Sequence, residues 1–240
     1  MTQRLKKLYD SKIVPEMKRD LHLKNVLQVP KLVKVTLNIG TSKAVGNPKM
    51  MEVMEHTMSR ISGQKPVATK AKKSISAFKV REGQIVGLKA TLRSKRMYDF
   101  MDKCISVALP RVRDFQGISP FAFDASGKSY TIGFREHIVF PEIKSDEIDK
   151  IHGLEVTFTT NAENKEQAFE LLKRFGFPFR SEEQEHEFRE NVKRMKEAKH
   201  QKERTRKRLA LQAKAAQEIT KKATATPPAA SAPASGAKTS

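Results

Sequence analysis

The sequence predicts an α+β fold: one antiparallel or mixed sheet with helices packed on one face, then a charged C-terminal helix and a disordered tail. Three observations lead there. Stretches in which apolar and polar residues alternate are interleaved with stretches in which apolar residues return every three or four positions, the signatures of half-buried strands and of helices. Two of the alternating stretches carry polar and basic residues on their second face, so the sheet has one dry side and one wet side. Near Phe179 the apolar periodicity stops and charge takes over. The core therefore ends there, and the chain divides into a globular part (1–180), a charged helical extension (181–222) and a tail (223–240).

In order, "MTQRLKKLYDSKIVPEMKRDL" sets Leu5, Leu8, Ile13, Met17 and Leu21 at helical spacing. "LVKVTLNIG" alternates, with Val33, Val35, Leu37 and Ile39 on one face and Lys34, Thr36 and Asn38 on the other. "NPKMMEVMEHTMSRISG" is a helix with Asn47 as N-cap, Pro48 in its first turn and Gly63 as its stop. Its stripe of Met50, Met54, Met58 and Ile61 fills core. "QIVGLKATLR" alternates again, with Val86, Leu88, Ala90 and Leu92 inward and Lys89, Thr91 and Arg93 outward. "SKRMYDFMDKCISVALP" is a helix that Pro110 ends. "SYTIGFREHIVFP" and "GLEVTFTT" read as strands, and "NKEQAFELLKRFG" as a closing helix stopped at Gly176 with Pro178 beyond. In the extension, Glu185–Arg189, Glu190–Arg194, Glu203–Lys207 and Glu218–Lys222 are Glu-first i,i+4 pairs, each contributing only about 0.2–0.5 kcal/mol to a helix. The final "ATATPPAASAPASGAKTS" is low-complexity and too poor in apolar residues to build a core.

Charge narrows the function. Lysine and arginine number 47 against 27 acidic residues, a net charge of +20. Such an excess calls for a polyanionic partner, because each cation placed on a phosphate releases a condensed counterion. A membrane is not that partner. The chain has no apolar run of some 18 residues, and the extension lacks the apolar face that a surface-lying helix needs. Cys104 is the single cysteine, so no intrachain disulfide forms, and the expected setting is the reducing cytoplasm. It sits in an apolar helical register and reads as core.

Catalytic patterns are thin. The six histidines, at 22, 56, 137, 152, 186 and 200, have neither i,i+4 spacing nor a cysteine pair beside them, so no zinc ligand set is expected. "SGQKPVATKAKKS" suggests a phosphate loop but lacks the G-x-x-x-x-G-K-[ST] spacing. No nucleophile elbow stands out, and Asp146 and Glu147 sit in a charged turn. The expectation is a protein without cofactor or enzymatic activity. A binding surface is easier to assemble. If their strands share a sheet, Lys34, Thr36 and Asn38 join Lys89, Thr91 and Arg93 in a platform of cations, hydroxyls and one amide. Such groups grip phosphates and riboses, including the 2′-OH. The platform has no aromatic residue on which to stack splayed bases, which favours recognition of folded RNA by backbone and shape.

The stretches "QVPKLVKVTLNIG", "ISGQKPVATKAKKSISAFKVREG", "GLKATLRSKRMYDF", "ALPRVRDFQG", "IGFREHIVFPEI" and "FGFPF" resemble, in order and over residues 3–179, the bacterial-type ribosomal protein L five family. These are the 5S-rRNA-binding proteins of the large subunit. The resemblance implies an α+β fold and a place in the central protuberance, among 5S rRNA, 23S rRNA, neighbouring proteins there and the small-subunit head. Carried over by motif, Asn38 in "TLNIG", Gln64 in "SGQKP" and Thr91 in "ATLR" match the family's 5S rRNA contacts. The "KAKKSISAFKVREGQ" loop matches the one that reaches P-site tRNA. Lys70, Lys72 and Lys73 then hold rRNA phosphates at its root, and Phe78, Lys79 and Arg81 present its tip. Mutual repulsion of its lysines, with the freedom of Gly83, predicts a poorly ordered loop in the isolated protein. "RVRDFQG" is the candidate for a bridge to a small-subunit head protein of the S thirteen type. The extension departs from the family pattern. Its densest run is "KERTRKR", where Arg204, Arg206, Lys207 and Arg208 are expected to face rRNA phosphates.

Overall fold

The fold is described here from a computed structural model, which describes residues 3–41, 47–143, 151–181 and 183–188 and the single positions 190, 194 and 197. The N-terminal helical stretch runs as α1 (Arg4–Leu8), a π-helical turn at Tyr9–Ile13 and α2 (Val14–Asp20). Pro15 lies within the first turn of α2. It has no N–H to continue the i→i−4 ladder, and the wider turn just before it absorbs the break. Then come β1 (Leu32–Gly40), α3 (Pro48–Ser62), β2 (Val67–Lys70), β3 (Ile85–Leu92) and α4 (Ser94–Lys103), which widens into a π turn at Cys104–Ala108. The chain continues through β4 (Ser129–Phe134), β5 (Leu154–Thr160) and α5 (Lys165–Arg174).

The five strands form one sheet in the order β2-β3-β1-β5-β4, and every pairing is antiparallel. The fold is thus α+β with a wholly antiparallel sheet. One face is dry: Val35, Leu37, Ile39, Leu88, Leu92, Val156 and Phe158 are buried, together with helical residues such as Met17, Met54, Met58, Met101 and Leu171. Burying one such side chain contributes about 1.5–3 kcal/mol. Aromatic rings join the layers: Phe158 meets Phe177 edge-on at 5.1 Å, and Tyr9 stacks on Phe175 at 5.9 Å. The caps of α3 are those its sequence predicts. Asn47 Oδ1 accepts from the Met50 amide at 3.3 Å, and Gly63 takes the left-handed conformation at φ +67°.

Three expectations are corrected. Val33 does not face inward. A register shift between Leu32 and Lys34 gives the buried place to Leu32 and leaves Val33 37% exposed; a bulge moves a side chain to the other face. The strand in "SYTIGFREHIVFP" stops at Phe134, whose partner Leu154 is the first residue of β5. With no further strand to pair, the chain turns through a 3-10 segment at His137–Val139 and buries His137 and Phe140. The loop between β2 and β3, the third of these, takes a hydrogen-bonded hairpin shape that its composition did not suggest. Beyond the globular unit Met1–Glu182 lies a second unit, Glu183–Ser240. In it, residues 183–188 are helical and Glu190 and Arg194 approach to 3.8 Å. Arg204, Arg206, Lys207 and Arg208, and the tail, lie outside the described residues.

Candidate nucleic-acid interface

Strands β1 and β3, far apart in sequence, are neighbours in the sheet, and their register joins the two halves of the predicted platform. Thr36 sits opposite Thr91, and Asn38 opposite Lys89. The pairing continues across β5 and β4, so that Thr91, Thr36, Thr157 and Thr131 form one row over four strands. A parallel row holds Val67, Lys89, Asn38, Glu155 and Gly133. Threonine suits both demands of such a surface. Its β-branch favours a strand, and its short hydroxyl keeps the face shallow. The hydroxyls of Thr131 and Thr157 lie 3.1 Å apart, and Ser129 and Thr159 continue the pattern with a 3.5 Å contact.

Lys34 lies on β1 opposite Thr159, partly exposed, while Lys89 is exposed on β3. Arg93 follows β3 directly and is exposed at the start of α4. Gln64 is not on the sheet. It follows α3, donates from Nε2 to the Thr91 carbonyl at 3.0 Å, and accepts from the Arg96 guanidinium at 3.3 Å. Asn38 is exposed, and its amide donates to Glu155 Oε2 at 3.1 Å.

Lys70 ends the edge strand β2, and the hairpin beyond it joins β2 to β3. Backbone hydrogen bonds close its root: Ala71 donates to the Gln84 carbonyl at 2.8 Å, and Gly83 donates to that of Ala71 at 3.0 Å. Farther out, Ile75 and Val80 exchange both bonds of a narrow pair, and Ser74 Oγ accepts from the Glu82 amide at 2.9 Å. The lysine side chains Lys72, Lys73 and Lys79 are all exposed, where solvent screens their mutual repulsion. At the tip a 3-10 turn, Ser76–Phe78, ends in Lys79 at φ +54°, and Phe78 is left 75% exposed beside Lys79 and the exposed Arg81. In "RVRDFQG", Arg111 and Arg113 are exposed while Phe115 packs against the core.

The sequence reading missed Ser129, Thr131, Thr157 and Thr159. Their signal was the alternation in "SYTIGF" and "LEVTFTT", but neither stretch carries the lysines that drew attention to β1 and β3. Among the described residues no group of histidine, cysteine or acidic side chains could hold a metal ion, and no helix is long and apolar enough to cross a membrane.

Comparison with known proteins gives the family. Residues 25–81 match the family profile described as ribosomal protein L5, and residues 85–179 match that of the ribosomal L5P family C-terminus. The large ribosomal subunit protein uL5 of Chloroflexus aurantiacus is 51% identical over 180 residues, which cover 75% of this chain and 99% of that protein. Its counterparts in Syntrophomonas wolfei and Dichelobacter nodosus are 52% and 49% identical over 177 residues, covering 74% of this chain and 99% and 98% of theirs. With half of all aligned positions shared over nearly the whole of each relative, and with the sheet those positions build, this chain belongs to the ribosomal protein L5 family.

Proposed function

We propose that the chain, a non-enzymatic constituent of the large ribosomal subunit, holds 5S rRNA on the wet face of its sheet and helps attach it to 23S rRNA in the central protuberance. The observation that carries this reading is the registered platform itself. Thr36 and Thr91 are directly opposed, Asn38 and Lys89 lie in the next row, and Lys34 and Arg93 flank them. Hydroxyls and an amide suit riboses and phosphate oxygens, and the cations supply the salt-dependent grip. Gln64 belongs to the same interface through its bond to the Thr91 carbonyl.

The β2–β3 hairpin supports a second contact. Lys70, Lys72 and Lys73 stand at its root, where rRNA phosphates would lie, and Phe78, Lys79 and Arg81 form a tip suited to the backbone and bases of P-site tRNA. The exposed arginines of "RVRDFQG" are the side proposed to meet a small-subunit head protein of the S thirteen type, and other faces would adjoin neighbouring proteins of the central protuberance. We read residues 1–180 as the RNA-binding body, with 181–222 as a charged extension and 223–240 as a tail. Arg204, Arg206, Lys207 and Arg208 are its proposed rRNA contacts.

Binding of the full chain to a 5S rRNA transcript tests the central claim. Thr36→Val and Thr91→Val remove one hydroxyl each while keeping the β-branch. Each is expected to weaken binding by about 1 kcal/mol, the net value of a hydrogen bond. Lys89→Ala is expected to weaken it in a salt-dependent way, lowering the slope of log K against log salt by about one phosphate contact. Unchanged affinity in all three variants would remove the sheet face from the interface.

A further inference from the structure

Glu155 is the one acidic residue in the five strands. It stands on the wet face, exposed, in a row with Lys89 and Asn38. On a surface that only gripped phosphates, a carboxylate at this place would repel the ligand. Its neighbourhood argues for a different task. Oε2 accepts from Asn38 Nδ2 at 3.1 Å, which fixes the orientation of the Asn38 amide: the nitrogen faces β5, and Oδ1 lies on the β3 side, above Gly87. Two acceptors, Asn38 Oδ1 and Glu155 Oε1, are thereby presented outward in a set arrangement. Close to them, two strand positions carry no side chain. Gly133 is opposite Glu155 and Gly40 is two residues beyond Asn38 on the same face; a Cβ on either would meet nothing within 4 Å. A strand glycine of this kind lets a flat group come close to the backbone.

We propose that Glu155, positioned by Asn38, reads an unpaired nucleobase by accepting a hydrogen bond from its exocyclic amino group, with the base seated over the bare backbone at Gly133, directly opposite Glu155. This rests on the sheet face being the RNA surface, and adds sequence selectivity to what cations and hydroxyls alone would leave to backbone and shape. A carboxylate takes an amino donor and rejects a phosphate or a carbonyl edge. It is therefore a filter as much as a contact.

The test uses the full chain, 5S rRNA and an unrelated structured RNA of the same length. Removing the negative charge by Glu155→Gln is expected to weaken 5S rRNA binding about 10-fold, the loss typical of a charge-assisted hydrogen bond, while leaving the unrelated RNA unchanged or bound more tightly. Single replacements in 5S rRNA then identify the base: inosine for guanosine and purine riboside for adenosine each delete one amino group, and uridine for cytidine exchanges it for a carbonyl. One such replacement is expected to weaken wild-type binding and to have no further effect on the Glu155→Gln protein. If Glu155→Gln tightens both RNAs equally, or if no replacement couples to it, Glu155 is only a solvated charge and the proposal fails. Lys89→Ala and Thr36→Val separate the two claims. If they weaken binding while Glu155→Gln does not, the RNA face stands and the base-reading role falls; if none of the three matters, both fall.

Discussion

Gln64 donates its side-chain N–H to the backbone carbonyl of Thr91 at 3.0 Å, tying the loop that follows α3 to the end of β3. The bond reaches the β3 backbone, not the threonine side chain, and Arg96 holds the other end of the same amide. Gln64 therefore steadies the backbone that carries Thr91. Gln64→Ala is expected to lower unfolding stability by about 1 kcal/mol, seen as a lower urea midpoint, as well as to weaken 5S rRNA binding. A variant with normal stability and weakened binding would instead show the amide reaching RNA directly.

The hairpin separates into a root and a tip. Deleting residues 75–82 removes Phe78, Lys79 and Arg81 but spares β2, β3 and the threonine row. We expect 5S rRNA affinity to stay within about twofold, because no platform residue is lost and the lysines at the root remain. Ribosomes carrying the shortened chain are expected to hold P-site tRNA less firmly, read as faster tRNA dissociation. Phe78→Ala alone is expected to produce part of that effect.

His137 and His152 stack with their ring centroids 3.9 Å apart and their planes 2° from parallel, both buried. Burial holds His137 below its ordinary value of 6.5, although bonding to the His152 backbone and the nearby charge of Glu136 act the other way. The unfolded chain thus takes up a proton at a higher pH than the folded one. Stability contributed here is fully present above about pH 6.5, falls as the pH drops below it, and levels off once the folded His137 titrates. Urea midpoints measured from pH 8 to pH 5 are expected to fall, with a shallower slope in His137→Gln.

Cys104 has no exposed surface, and burial pushes its thiol up to about 12. A thiolate is the reactive form, so alkylation of the native protein is expected to be negligible at neutral pH. Its rate in denaturant should track the unfolded fraction. Rapid native labelling would mean that the π turn at Cys104–Ala108 opens locally.

How much of this was legible in the sequence depends on what each feature needs. β1, β3, the caps of α3 and the methionine stripe follow from local rules, and they stand where alternation and capping put them. The bulge that turns out Val33 depends on the partner strand β5, which no local pattern reveals. The end of β4 at Phe134 is equally nonlocal, since "REHIVF" alternates well enough but lacks a strand to pair with. The order of the hairpin came from its cross-strand bonds, whereas its composition spoke only of charge. For the interface, lysines flagged two strands out of four. Thr131, Thr157 and Glu155 became visible only when the register set them beside Thr36 and Asn38.

The threonine row draws its members from four strands that the chain reaches in the order β1, β3, β4, β5, with β5 the last to be made and the one that joins β1 to β4. Such long-range pairings close late, because loop entropy must be met before the contacts form. A nascent chain released only as far as β3 can offer Thr36 and Thr91, yet it lacks Thr157, Thr131 and Glu155. Until β5 inserts, the proposed selective surface is incomplete, and basic residues alone would attract RNA through charge. If the proposed RNA surface is the right one, commitment to the correct RNA would wait on completion of the sheet.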